Sequence, residues 1–237
     1  MKLKTAVSLV LLAAVVSACT AIRGSGDVVT IEIPIDDFSR LAVSHSFEVN
    51  VTVGEEPSLT LRVDDNIESS LDVGVTGDTL RIGLEPRTTV SNATLEADLT
   101  VASLDAIEGS GAVNVHLTNL EGSTLELQLS GASDVDGAVD FDSMMGEISG
   151  ASNLSVSGRT ATLDIEASGA SDLSLLDLEV GALIVSLSGA SSAEVNVTDS
   201  IEASVSGASS LRYRGDPDVT SFDVSGASSI DQINSAG

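Results

Sequence analysis

Beyond its first nineteen residues, the chain alternates apolar and polar positions almost without interruption. "VVTIEIPI", "FEVNVTV", "SLTLRV" and "LDVGVTGDTLRIGL", all between Val28 and Leu84, each set apolar side chains two residues apart. That period places them on one face of a strand. Turn signals such as "VGEEP" and "TGD" stand between the stretches. No segment after the first nineteen residues carries a helical period, so the pattern predicts an all-β fold.

From Ser110 onward the pattern repeats. "SGAS" begins at Ser130, Ser149, Ser168, Ser188, Ser206 and Ser225, after a partial copy, "SGAV", at Ser110. The glycines, Gly111, Gly131, Gly150, Gly169, Gly189, Gly207 and Gly226, are separated by 20, 19, 19, 20, 18 and 19 residues. So steady a period is the mark of a solenoid whose repeats stack on one another. The residues one, three and five before each motif form apolar columns, for example Leu129, Leu127, Leu125 and Leu187, Val185, Leu183. A second column follows the motif at Val135, Leu154, Leu173, Ala193, Leu211 and Ile230. Each repeat is thus expected to hold two short strands with corners between them. Coiled, the repeats predict a single-stranded parallel β-helix, taken as right-handed, with rungs of about 19 residues. Residues 28–109 would form irregular N-terminal rungs and 110–237 the regular ones. Gly146, Ala167 and Ala203 in the inward columns imply a narrow, filled interior. An antiparallel meander or barrel with "SGAS" as its hairpin turn is the competing arrangement. Hairpin turns favour Asn-Gly or Asp-Gly, and they do not require near-identical corners at a fixed period.

The motif itself reads as a corner. Gly admits positive φ, Ala suits a crowded stack, and the Ser hydroxyls can bond turn backbone groups or one another from rung to rung. A serine nucleophile would need a base within reach and a group to orient it. The chain has only His45 and His116, and no "GxSxG" elbow. His116 alternates with Val115 and Leu117, which turns it toward solvent. A calcium β-roll needs nine-residue repeats with a regular Asp. Here the residue after "SGAS" is Asp134, Asn153, Asp172, Ser192, Ser210 or Ser229. No EF-hand loop or His/Cys cluster is present either.

Charge narrows the partners. The start, "MKLKTAVSLVLLAAVVSAC", has Lys2 and Lys4 before an apolar run too short to span a bilayer. Residues 1–18 therefore read as a secretory signal. Its end, "VSAC", resembles the bacterial lipobox, which makes Cys19, the only Cys in the chain, the expected lipid-attachment site and excludes a disulfide within the chain. Thr20 in place of Asp implies an outer-membrane destination, and residues 19–27 are expected to form a flexible tether. The full chain has a formal net charge of −26. Without the two lysines of the signal it keeps 8 Arg against 36 Asp plus Glu, or 8 − 36 = −28. Nucleic acid is excluded as a partner, and anionic headgroups would be repelled, leaving the membrane to the lipid anchor.

Two residues before the motif, on the outer face, stand Glu147 and Glu166 on successive rungs, and later Asp223. Rungs about 4.8 Å apart would set the first two repelling by roughly 0.9 kcal/mol in water. This ladder is where divalent cations could be loosely held; no other cofactor is expected. Polysaccharide lyases and esterases also use β-helices, with acidic residues and a cation in one groove. After Arg87 the basic residues are Arg159, Arg212 and Arg214. The last two, in "LRYRGDPD", either form a carbohydrate-contact patch with Tyr213 or pair with Asp216 and Asp218, the expected arrangement.

The stretch "FSRLAVSHSFEVNVTVGEEPSLTLRVDDNIESSLDVGVTGDTLRIGL", then "LDAIEGSGAVNV" and the "SGAS" series, resembles the head GIN-domain family of bacterial envelope proteins, described as autotransporter-adhesin-like lipoproteins. The resemblance covers Phe38 to Ile230. It implies a parallel β-helix similar in shape to pectin-lyase-like solenoids but without their catalytic residues, and it carries over no functional residue. The resulting expectation is a lipid-anchored, outer-membrane, non-enzymatic β-solenoid presenting an acidic surface for adhesion or envelope interaction with a glycan or an envelope protein. A carbohydrate-binding or polysaccharide-processing β-helix is the alternative. Few residues follow the last motif, so the final rung is expected to expose an edge through which a homodimer could form.

Overall fold

The computed structural model describes residues 21–233, all of them β-strand, turn or loop apart from one 3-10 turn at Glu68–Ser70. Cys19 and the signal segment lie outside the described residues. No helix among the described residues is long and apolar enough to cross a membrane.

The N-terminal half holds β1 (Ile22–Arg23), β2 (Val28–Ile33), β3 (Arg40–His45), β4 (Glu48–Val53), β5 (Ser58–Asp64), β6 (Leu71–Thr76), β7 (Thr79–Leu84), β8 (Val90–Ser91), β9 (Leu95–Val101) and β10 (Ala106–Gly111). The regular coil follows as β11 (Asn114–Gly131), β12 (Asp134–Ile148), β13 (Asn153–Ala167), β14 (Asp172–Leu187) and β15 (Ser192–Val205). It finishes with β16 (Ser210–Arg214), β17 (Asp218–Val224) and β18 (Ser229–Gln232). From β3 and β10 through β17 and β18 every rung pairs in parallel with the next, and from Gly111 to Gly226 the corners stack glycine on glycine. This is the β-solenoid with rungs of about 19 residues that the repeat predicts; its strands are not hairpins closed by "SGAS".

Each rung has three straight runs where the sequence suggested two. In β13 the inward residues are Leu154 and Val156, then Thr160, then Leu163, Ile165 and Ala167. The alternation breaks between these groups, and the ladder shifts register at Leu154/Gly158. The middle run buries Val139 and Phe141, Thr160, Leu178 and Val180, and Val197 on successive rungs. In the remaining columns small residues face large ones, as the filled interior required. A Cβ on Gly146 would meet Ile165 at 3.1 Å, Ala167 stands between Ile148 and Leu187, and Ala203 between Val185 and Phe222.

The corners keep the ladder intact. Ser149, Ala151 and Asn153 donate their N–H groups to Leu129, Gly131 and Ser133 carbonyls at 2.8, 2.8 and 2.9 Å. All seven corner glycines have φ between +76° and +100°. Their missing side chains point at the carbonyl beneath: a Cβ on Gly131 would lie 2.5 Å from the Gly111 oxygen. The last Ser of each motif turns inward. Ser133, Ser152, Ser171, Ser191 and Ser209 are at most 2% exposed. Ser152 Oγ donates to the Ser149 carbonyl at 2.9 Å and accepts from the Ser133 N–H at 3.2 Å. A buried hydroxyl with both roles filled carries little desolvation penalty. The motif Ala, expected in the crowded stack, is exposed instead; the crowding falls on this inward Ser, which shares its column with Val113 and Phe47.

That column exposes a corner the repeat search missed. "SHSF" at Ser44–Phe47 pairs with "SGAV": His45 stacks on Gly111 and adopts φ +69°. His45 is the first member of the column, because the chain leaves β7 into the turn closed by Thr88 N–H to Glu85 C=O at 3.0 Å. A side chain is therefore tolerated there and nowhere above.

Residues 28–109 are not simply irregular rungs. β7 and β9 form a rung that lies outside β3 and β4, although it comes later in the chain. Antiparallel strands close this end, β6 against β7, β5 against β9 and β2 against β5, protecting edges that would otherwise be free. The part of the expected flexible tether from Ile22 onward is bound to the end rung. β1 pairs with β8, and Ile22 and Gly24 donate to the Thr89 and Ser91 carbonyls at 2.8 and 3.1 Å. Asp64, 1% exposed, accepts from the Gly26 and Thr94 N–H groups at 2.5 and 2.7 Å. Those backbone donors, Thr94 first, hold its carboxyl below the usual carboxylate range.

Candidate functional site

Stacking equivalent residues creates outer columns as well as inner ones, and they differ in how their charges are met. On the face after the corner, donors and acids alternate from rung to rung. Asn50 Nδ2 donates to Asp98 at 3.0 Å, Asn153 Nδ2 to Asp134 at 2.6 Å and Ser192 Oγ to Asp172 at 2.9 Å. His116, solvent-exposed as its alternation implied, lies 2.6 Å from Asp136. Arg62 bridges Glu96 and Asp98, and Arg159 holds Asp140 at 2.9 Å.

The face before the corner is different. A groove of 430 Å³ runs along the coil beside the motif. Its walls are the column Glu108, Gln128, Glu147, Glu166, Ser186 and Ser204, and its floor carries the first Ser of successive motifs. Ser149, Ser168, Ser188 and Ser206 are half-buried and Ser130 is exposed; Ser149 Oγ donates to the Leu129 carbonyl at 3.2 Å. Glu147 and Glu166 are in direct register on neighbouring rungs, as the spacing predicted. Neither they nor Glu108 has a side-chain hydrogen bond or ion pair among the described residues. Gln128, between Glu108 and Glu147, turns away to donate to Glu126 at 2.7 Å. That bond, with Arg40 at 3.1 Å, holds the Glu126 carboxyl below its usual range. Asp223 continues the column two rungs beyond Ser186. No three His, Cys, Asp or Glu side chains converge on one point among the described residues.

The "LRYRGDPD" stretch is built otherwise than expected. Tyr213 is an inward residue, 8% exposed, and packs against Phe222 with ring centroids 5.9 Å apart. It is not available to stack on a sugar. Arg212 pairs with Glu194 on the rung before, and Arg214 donates to Asn196 and the Leu176 carbonyl. Their partners are thus across the rungs, not Asp216 and Asp218 in the adjoining loop, because parallel stacking sets equivalent positions closer than a turn does. His45 is equally committed: its Nδ1 accepts from the Leu84 N–H at 3.2 Å and lies 2.9 Å from Ser44 Oγ.

A capped all-β solenoid with an uncompensated acidic groove is the class this architecture defines. Residues 37–217 match the profile of the family described as "Putative auto-transporter adhesin, head GIN domain", and the chain belongs to that family. Among solved structures it is similar to a "putative adhesin" from Bacteroides fragilis, with a TM-score of 0.84, 22% identity, and coverage of 90% of this chain and 100% of that one. A "putative adhesin" from Parabacteroides merdae gives 0.71 and 19% over 90% and 99% of the two chains. A "putative lipid binding protein" from Parabacteroides distasonis gives 0.67 and 17% over 90% and 100%. At these identities the likeness establishes the shared fold. No curated protein sequence matches the chain.

Proposed function

We propose that this chain is a non-enzymatic adhesion module of the bacterial envelope, lipid-anchored through Cys19 in the outer membrane, which engages its partner along the acidic groove. The observation that carries the reading is the contrast between faces. On the face after the corner and the run beyond it, Asp98, Asp134, Asp136, Asp140 and Asp172 are met by Asn50, Asn153, His116, Arg159 and Ser192 of an adjoining rung, while Glu108, Glu147 and Glu166, stacked along one groove, have no side-chain partner among the described residues. Like charges stacked without compensation destabilise the free protein and are relieved by a ligand that brings cations or hydrogen-bond donors. The adhesin descriptions of the family and of its solved neighbours support an envelope location and a binding role.

The partner class is a glycan or envelope protein presenting donors along an extended chain, with the motif serines as secondary contacts. Loosely bound divalent cations would serve as bridges at Glu147 and Glu166. A binding screen of the full chain against glycans and basic peptides, with a uronate-release assay alongside, tests this reading. Binding that falls at least threefold in the Glu108→Gln/Glu147→Gln/Glu166→Gln variant supports it. Uronate release would establish the polysaccharide-processing alternative.

Self-association belongs to the same proposal. Val219, Phe222 and Val224 continue columns buried on every earlier rung, yet are 52%, 38% and 46% exposed on β17. Sedimentation at rising concentration should give a dimer that Phe222→Asp abolishes; a monomer throughout removes this part.

A further inference from the structure

The bound N-terminal segment has a consequence for how the coil meets the membrane. Cys19 is three residues from Ile22, where β1 begins, and three residues span at most about 11 Å. From Ile22 onward the chain is fixed to the end rung. Besides the β1–β8 pairing and the Asp64 bonds, Ser25 Oγ donates to Asp65 at 2.6 Å, and Asn66 Nδ2 to the Arg23 carbonyl at 2.9 Å. The fit is close: a Cβ on Gly24 would lie 2.5 Å from the Asn92 carbonyl and 2.6 Å from Asp64 Oδ2.

The arginines supply an independent observation. Arg40, Arg62, Arg159 and Arg212 pair with carboxylates, and Arg214 donates to Asn196 and a carbonyl. The three arginines without a side-chain partner among the described residues, Arg23, Arg81 and Arg87, all belong to the N-terminal end. Arg23 lies on β1, Arg87 in the turn leading into β8, the strand paired with β1, and Arg81 on β7, opposite Gly74 of the edge strand β6. Glu68, Asp72 and Glu85 share that end, so it is not a basic patch. Its arginines are nonetheless the cations left free to bond phosphate, which guanidinium binds in a bidentate fork.

We propose that the solenoid stands on the bilayer by its N-terminal end, with Arg23 and Arg87, and Arg81 beside them, at the headgroup phosphates and the C-terminal rung outermost. This rests on the lipid-anchor reading of Cys19. A headgroup layer is roughly 5–7 Å deep on each side of the hydrocarbon, so an 11 Å leash holds β1 at the interface. The acyl chain supplies the attachment and the arginines the orientation. The groove then runs along the coil away from the membrane, and β17, eight strands above β7, is raised by roughly 38 Å at about 4.8 Å per strand.

Because Cys19 would be blocked by acylation, Thr89→Cys and Ser221→Cys each introduce one free thiol. Each full-length variant, labelled with a fluorophore and reconstituted into nanodiscs containing headgroup-spin-labelled lipid, is read by quenching. Quenching at residue 89 should exceed that at residue 221 at least fivefold. It should fall at least twofold in Arg23→Ser/Arg81→Ser/Arg87→Ser, or when eight Gly-Ser residues are inserted between Thr20 and Ala21. Equal quenching at the two sites, in protein whose acylated Cys19 is verified by mass spectrometry, overturns the standing orientation while leaving the anchor intact. A mass showing unmodified Cys19 overturns the anchor, and the orientation with it.

Discussion

Replacing Gly131 by Ala isolates what the corner demands. Gly131 sits at φ +82°, and an added Cβ would lie 2.5 Å from the Gly111 oxygen, 3.0 Å from its nitrogen and 3.2 Å from its carbonyl carbon. Two costs are therefore combined. Left-handed backbone destabilises a residue with a Cβ by about 1–2 kcal/mol. Forcing a methyl against fixed backbone adds about 1–3 kcal/mol, as overpacking does. The sum is a loss of about 2–5 kcal/mol. Two other glycines separate the contributions. Gly77, at φ +67° with nothing within 4 Å of the added atom, meets only the first, so Gly77→Ala should lose about 1–2 kcal/mol. Gly74, with neither constraint, should change by about 0.5 kcal/mol or less. Urea denaturation followed by circular dichroism reads all three. Because rungs contact only their neighbours, Gly131→Ala should also broaden or split the transition, as the rungs on either side of the corner uncouple. If Gly131→Ala costs no more than Gly77→Ala, the close stacking of corner on corner is wrong.

The inward serines give a second test. Ser171→Ala removes the 2.9 Å bond to the Ser168 carbonyl and should destabilise by about 1 kcal/mol, whereas removing the exposed Ser155 hydroxyl should change the urea midpoint negligibly. Asp64 gives a third. Its folded pKa lies below its unfolded value, so the stabilisation it contributes is present above about pH 4 and is lost as pH falls through the depressed folded value. Amide exchange at Gly26 and Thr94, corrected for intrinsic rates, should accelerate in that acidic window, and Asp64→Asn should remove the pH dependence. The Glu147 and Glu166 pair gives a fourth: millimolar calcium should raise the melting temperature above that in sodium of matched ionic strength, and equal melting points exclude cation bridging there.

The corners were legible in the sequence because one physical constraint, a glycine facing a carbonyl, recurs with one solution. The interior of the middle run was not. Phe141, Thr160, Val180 and Val197 fill it equally well, and register shifts such as those at Leu154/Gly158 and Leu175/Glu179 destroy the fixed spacing that reveals a column. The "SHSF" corner escaped because His45 occupies the glycine position, which only the bottom of a stack permits. The terminal rung escaped because β7 and β9 follow β3 and β4 in the chain but lie outside them. Of the groove, Glu147 and Glu166 could be read from the period. Their lack of partners could not, since it depends on which donors reach across from neighbouring rungs.

Whether the groove is where this protein meets its partner is most directly tested by site-specific photocrosslinking in intact cells. A crosslinking residue at Ser204, on the groove wall, should yield a discrete adduct that disappears when Glu108, Glu147 and Glu166 are replaced by Gln. The same residue at Ser174, on the face after the corner, should yield none. Adducts of equal intensity from both faces, or a Ser204 adduct indifferent to the three substitutions, would contradict the assignment of binding to the acidic groove.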